Sequence, residues 1–213
     1  MSWPAPCEAM GMAELNTSAR LASLLGFVCF AALGPLGCAS AAQGEDETAT
    51  TGDDGDTGSS ADELTLACNL SRSAILNSVS GGRRTAIQRG FSWFDANVPY
   101  SQSRSYQGYR TDCSGFVSMC WELGRSYTTL DFVGGGGESE KLASYESMVP
   151  GDALVRRSNG AGHIVMFLGW NDRAHSSACV LEQSSTALDM EFGARTVTSL
   201  KGSGYKAIRA DKF

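Results

Sequence analysis

In the stretch GYRTDCSGFVSMCWELG, from Gly108 to Gly124, Cys113 stands between Asp112 and a Ser114-Gly115 pair, at the start of an apolar run. A helix that begins there leaves its first backbone N–H groups unpaired and presents the positive end of its dipole. Both favour thiolate over thiol, so Cys113 has the makings of a nucleophile. Gly115 falls inside the first turn, where glycine costs helix stability relative to alanine, a cost that makes sense if something must approach the backbone closely. Cys120 shares the side of Phe116 and Val117 and reads as core. On one helix the two cysteines would be ~10.5 Å apart, beyond a disulfide's reach.

A thiolate needs a base, and the base needs an orienter. His163 opens a strand in GAGHIVMFLGW, sharing a face with Val165 and Phe167 while Ile164, Met166 and Leu168 point the other way. Both faces are apolar, so the strand is expected to be central. A histidine at the end of such a strand can stand opposite the start of a helix that covers its face. Glu182, in CVLEQSS on the next strand, could then accept the second imidazole N–H. From spacing alone a structural histidine and a catalytic one both remain open. His175, in DRAHSS, lies in a polar loop and reads as a surface residue.

The chain has seven cysteines, of which Cys7, Cys29 and Cys38 belong to the N-terminal region, leaving Cys68, Cys113, Cys120 and Cys179. A Cys68–Cys179 bridge and buried free thiols are both open. There is no C-x-x-C pairing and the chain has 2 histidines, so no zinc site is expected, nor any other cofactor. The run DDGDTG lacks the closing glutamate of a calcium loop.

The elements that must position these residues change period along the chain. Apolar residues at helical spacing (Ala86, Ile87, Phe91, Phe94) and the Gly81-Gly82 break predict two helices. A third helix is predicted from near Cys113 to Gly124, as its C′ glycine. After YESMVPGDAL the period shortens to two. Strands are predicted near Ala153–Arg157, His163–Trp170, Cys179–Gln183, Arg195–Leu200 and Tyr205–Arg209, with SNGAG as the first turn. Helices followed by a run of antiparallel strands give an α+β class, the helices packed on the sheet.

Charge separates this domain from what precedes it. The net charge of the chain is -6, yet from Leu64 onward there are 16 basic and 13 acidic residues, a balance of +3. That scattered excess gives no reason to expect nucleic-acid binding. Residues 39–63 carry acids, Gly, Ser, Thr and Ala, and read as a flexible acidic linker ahead of a domain at 64–213. Arg20 and the uncharged apolar run Leu21 to Gly37 read as an export leader, residues 1–38. Gly37-Cys38 resembles the lipobox of bacterial lipoproteins, with Pro35 where leucine is usual, and would make Cys38 the lipidated N-terminus. Ala39-Ser40-Ala41 offers ordinary leader removal instead, and an uncleaved anchor is the third route. Each places the domain outside the cytoplasm, either anchored in the envelope or secreted.

DCSGFV, followed fifty residues on by GHIVMFLGW, with VPYSQS upstream, PGD between and EQSS after, resembles the NlpC/p-sixty family of bacterial cell-wall cysteine peptidases. The similarity runs from about Ala86 to Arg209. It implies a papain-like α+β domain in which Cys113 is the nucleophile and His163 the base. It also implies a third polar residue at Glu182, with Gln183 as the neighbouring alternative; strand alternation forbids both from facing His163. By position, Tyr100, Asp112 and Ser114 would bind the free amino end of the substrate, although YSQSRSYQGY departs from the glycines usual there. Asp112 also reads as an N-cap. The implied substrate is the γ-D-glutamyl to diamino-acid bond of a peptidoglycan stem peptide, cut by a monomer. An idle wall-binding lipoprotein, or an amidase or acyltransferase using the same dyad, is the alternative.

Overall fold

The computed structural model describes residues 66–213. The expected leader at residues 1–38, Cys38 with its lipidation, and the expected linker at 39–63 lie outside the described residues.

Ser71 caps helix α1 (Arg72–Asn77) by accepting the Ala74 N–H. The Gly81-Gly82 pair opens the longer α2 (Gly81–Asp95), which buries Ala86, Ile87, Gly90, Phe91 and Trp93. A hairpin that hydrophobic periodicity does not predict comes next: β1 (Ser101–Tyr106) and β2 (Tyr109–Thr111), turning through Gln107 and Gly108, both at positive φ. β1 is polar and largely exposed and β2 is only three residues long, so neither carries the apolar signal of a core strand. The hairpin feeds α3 (Cys113–Cys120), which starts at the predicted residue but ends early. Glu122, not Gly124, takes the left-handed position, at φ 51°, and the Leu123 N–H closes on the Ser118 carbonyl at 3.0 Å. This is a Schellman closure reached without glycine, with Leu123 buried behind it. Helix α4 (Thr129–Gly134) carries a reciprocal cap between Thr128 and Asp131.

Strands β3 (Ser139–Lys141), β4 (Ala153–Ser158), β5 (Ala161–Trp170), β6 (Ser177–Gln183) and β7 (Met190–Thr196) follow. Helix α5 (Val197–Gly202) and strand β8 (Lys206–Ala210) complete the chain. The six-stranded sheet has the order β3-β8-β4-β5-β6-β7, antiparallel throughout. The α+β class is as expected. Asn159 and Gly160, both at positive φ, make the two-residue turn that pairs Ser158 with Ala161. The predicted strand Arg195–Leu200 is corrected: β7 stops at Thr196, whose side chain accepts the Ser199 N–H and caps α5. A good cap here outweighs the β-branched Val197 and Thr198.

Two cores lie on the two faces of the sheet. Ile164, Met166, Leu168 and Leu181 pack with α2 and α3, around Trp93, Phe116 and Cys120. Val165, Phe167 and Val180 pack with Tyr145, Leu200 and Tyr205. The expectation that a helix covers the Val165 and Phe167 face with the nucleophile on it is therefore corrected, because α3 packs on the Ile164 face. Alternation shows that β5 is covered twice, but two apolar faces carry no label saying which receives α3.

Cys68 and Cys179 form a disulfide, with Cα atoms 5.3 Å apart, closing a loop of 111 residues between the start of the described chain and β6. Loop-closure entropy makes such a link worth about 4–5 kcal/mol. Cys113 and Cys120 are free thiols, both buried. The Asp152 carboxylate of PGD is fully buried and held by Arg83 at 2.7 Å and Arg209 at 2.8 Å, so it ties α2 to β8.

Candidate active site

The best-defined part of the site sits on three neighbouring strands. His163 Nε2 lies 2.7 Å from Glu182 Oε2. From β7, Arg195 reaches the same carboxylate with Nε at 3.1 Å and Nη2 at 2.9 Å from Oε1, and Nη2 at 2.7 Å from Oε2. The three groups are 4%, 0% and 4% exposed, so the cluster is dry. Burial pushes the Glu182 carboxyl up; the charge of Arg195 and the His163 hydrogen bond outweigh it and hold the group below its ordinary value. An ionised carboxylate only accepts hydrogen bonds, so the proton on this contact belongs to Nε2. In the neutral imidazole the lone pair is then on Nδ1. The geometry chooses between the adjacent candidates: Glu182 takes His163, while the Gln183 amide donates to the Val98 carbonyl at 2.9 Å and the Thr111 carbonyl at 3.1 Å.

The second part is the mouth of α3. Asp112 is its N-cap, accepting the Gly115 N–H at 2.6 Å. The same oxygen accepts the Ser114 hydroxyl at 3.2 Å, and the other accepts Arg110 Nε. Arg110 Nη2 donates to Ser114 Oγ at 2.9 Å and to the Tyr127 carbonyl at 3.1 Å. Burial is the largest influence on Asp112 and leaves its carboxyl above the ordinary value in spite of Arg110. The close approach at Gly115 is explained: a Cβ there would lie 1.9 Å from the Arg110 carbonyl oxygen. What crowds that glycine is the chain itself, entering the helix. Burial pushes the Cys120 thiol well up, which suits a packing residue.

The structure thus joins His163 to Glu182, and Asp112 to Ser114, and it packs α3, which carries Cys113, against β5 and β6. Cys113 is 4% exposed at the first position of the helix. Tyr100 precedes and Asp112 follows the Ser101–Thr111 pair, so both leave the hairpin at the same end. Two participants have no counterpart in the sequence reading, Arg110 and Arg195. The signal for Arg195 is indirect: a carboxylate on a strand buried on both faces needs a cation. His175 is partly exposed, as expected, with Nδ1 2.6 Å from Glu146 and its ring stacked on Trp170 at 4.4 Å.

Among the described residues no group of His, Cys, Asp and Glu is arranged to hold a metal, and no helix is long and apolar enough to cross a membrane. Compared with known proteins, the chain matches no protein-family model and no curated protein.

Proposed function

We propose that the domain is a papain-like cysteine peptidase of the NlpC/p-sixty type that hydrolyses amide bonds in peptidoglycan stem peptides outside the cytoplasm. The observation that carries this reading is the dry His163–Glu182–Arg195 cluster on β5, β6 and β7, with α3, which carries Cys113, packed against β5 and β6. Cys113 passes its thiol proton to His163 Nδ1 and, as the thiolate, attacks the scissile carbonyl carbon, while backbone N–H groups at the start of α3 hold the oxyanion. The C–N bond breaks as His163 Nδ1 gives its proton to the leaving amine. Water then loses a proton to Nδ1 and attacks the thioester, releasing the acid and restoring the thiol–imidazole pair. Glu182, fixed by Arg195, holds Nε2 and stabilises the imidazolium that forms at each step.

The test is to incubate the purified chain with peptidoglycan and identify released fragments by mass spectrometry. The expected result is stem-peptide fragments from the wild type and none from Cys113→Ala. No release by the wild type, or equal release by the variant, sinks the proposal.

One observation favours a second reading, a wall-binding domain without turnover. By alternation His163 belongs to the Val165 face, whereas α3 packs on the Ile164 face. On that reading the histidine cluster only stabilises the sheet, and peptidoglycan sediments with the protein but stays intact.

A further inference from the structure

The charged groups at the mouth of α3 are layered. Asp112 is 2% exposed and its two oxygens already accept three donors, from Gly115, Ser114 and Arg110. Above it, the Arg110 side chain is 24% exposed. The exposed side chain here, two residues from Asp112 and three from Cys113 in the sequence, is therefore that of a cation, and Ser114 is bound to its guanidinium. An ammonium group brought to this lip meets a cation first, and the carboxylate that would neutralise it is buried and in use.

We propose that Arg110 is a specificity-determining residue that turns the lip beside Cys113 against a free amino end. The substrate is then a stem-type peptide whose N-terminal amine is already acylated, as in a peptide still joined to a polymer through that amide. This rests on the peptidase reading above and departs from the amine-binding role that the family resemblance gives to Asp112 and Ser114.

The test compares two forms of one peptide, L-alanyl-γ-D-glutamyl-diaminopimelate with a free amine and the same peptide N-acetylated, cleaved by the full chain at about pH 7, where an α-amino group is mostly protonated. The wild type is expected to show kcat/KM about tenfold or more higher for the acetylated form, the scale of one unfavourable charge contact near a surface. Arg110→Gln should narrow that ratio at least about fivefold, and Arg110→Lys, which keeps the charge, should retain most of it. Equal or faster cleavage of the free-amine peptide by the wild type overturns the proposal, as does an unchanged ratio in a folded Arg110→Gln. If that variant fails to fold, the wild-type ratio decides. Cleavage of neither form overturns the peptidase reading and this inference with it, whereas cleavage with amine preference overturns this inference alone.

Discussion

Asp112 and Glu182 are two buried carboxylates, each bonded to an arginine, and they come out on opposite sides of their ordinary values. Burial is the largest influence on both and raises both. Glu182 accepts three contacts from Arg195, itself 4% exposed, and a fourth from His163, and these charged donors prevail. Asp112 accepts one contact from a partly exposed Arg110 and two from neutral groups, and burial prevails. A shared arginine partner does not make two sites alike; what matters is how many charged donors are buried together with the acid. The strand cluster is built to keep an ion in a dry place, and the helix mouth is built to hold a backbone turn.

The largest effect that separates them is loss of the acid. Glu182→Ala leaves Arg195 buried without its main counter-charge and should cost about 3–5 kcal/mol in urea unfolding, the usual consequence of breaking a buried pair from one side. It should also lower turnover far more than Gln183→Ala, whose wild-type side chain braces Val98 and Thr111 but does not touch His163. The reverse order of turnover would move the orienting role to Gln183.

Next in size is Gly115→Ala, which probes the helix mouth without touching a charge. The new methyl would overlap the Arg110 carbonyl, whose position is set by the hairpin, so the backbone must move. A cost of about 1–3 kcal/mol is expected, with Arg110 and Asp112 displaced together. A neutral substitution would show that the entry into α3 is pliable and that the Asp112 contacts are not held as described.

Asp112→Ala should be smaller, about 1 kcal/mol, since the main loss is an N-cap. Asp112→Asn, which keeps an acceptor oxygen for the Gly115 N–H, should recover most of it. A cost for Asp112→Ala as large as that for Glu182→Ala would erase the distinction between the two carboxylates.

What the sequence disclosed, and what it did not, follows the range of the interactions. The start of α3, the Asn159-Gly160 turn and the facing of His163 and Glu182 follow from capping, turn chemistry and strand alternation, all read within a few residues. Arg195 reaches Glu182 only because Ala178 pairs with Arg195 and Glu182 with Glu191 across β6 and β7, a register no local rule supplies. Arg110 reaches Asp112 and Ser114 through a hairpin whose polar strands carry no apolar period. The face covered by α3 was equally out of reach, because Ile164, Val165, Met166 and Phe167 are all fully buried.

The smallest predicted effect is the sharpest test of the contrast, because its sign differs between the two sites. Glu182 has a lowered value in the folded state, so its ionisation contributes stability that is present above about 4.3, the ordinary glutamate value, and is lost as pH falls through the folded value. The advantage of the wild type over Glu182→Gln should therefore shrink as pH is lowered below that point. Asp112 has a raised folded value, so its ionised form costs stability at neutral pH, and protonation relieves the cost as pH falls from the folded value to about 3.9. The wild type should accordingly gain on Asp112→Asn over that interval. Unfolding free energies measured in steps from about pH 7 to 3 give the two differences directly, and other titrating groups largely cancel within each pair. Opposite slopes keep the two carboxylates apart. Parallel slopes would mean that Arg110 holds Asp112 as firmly ionised as Arg195 holds Glu182, and the helix mouth would then be a second buried ion cluster.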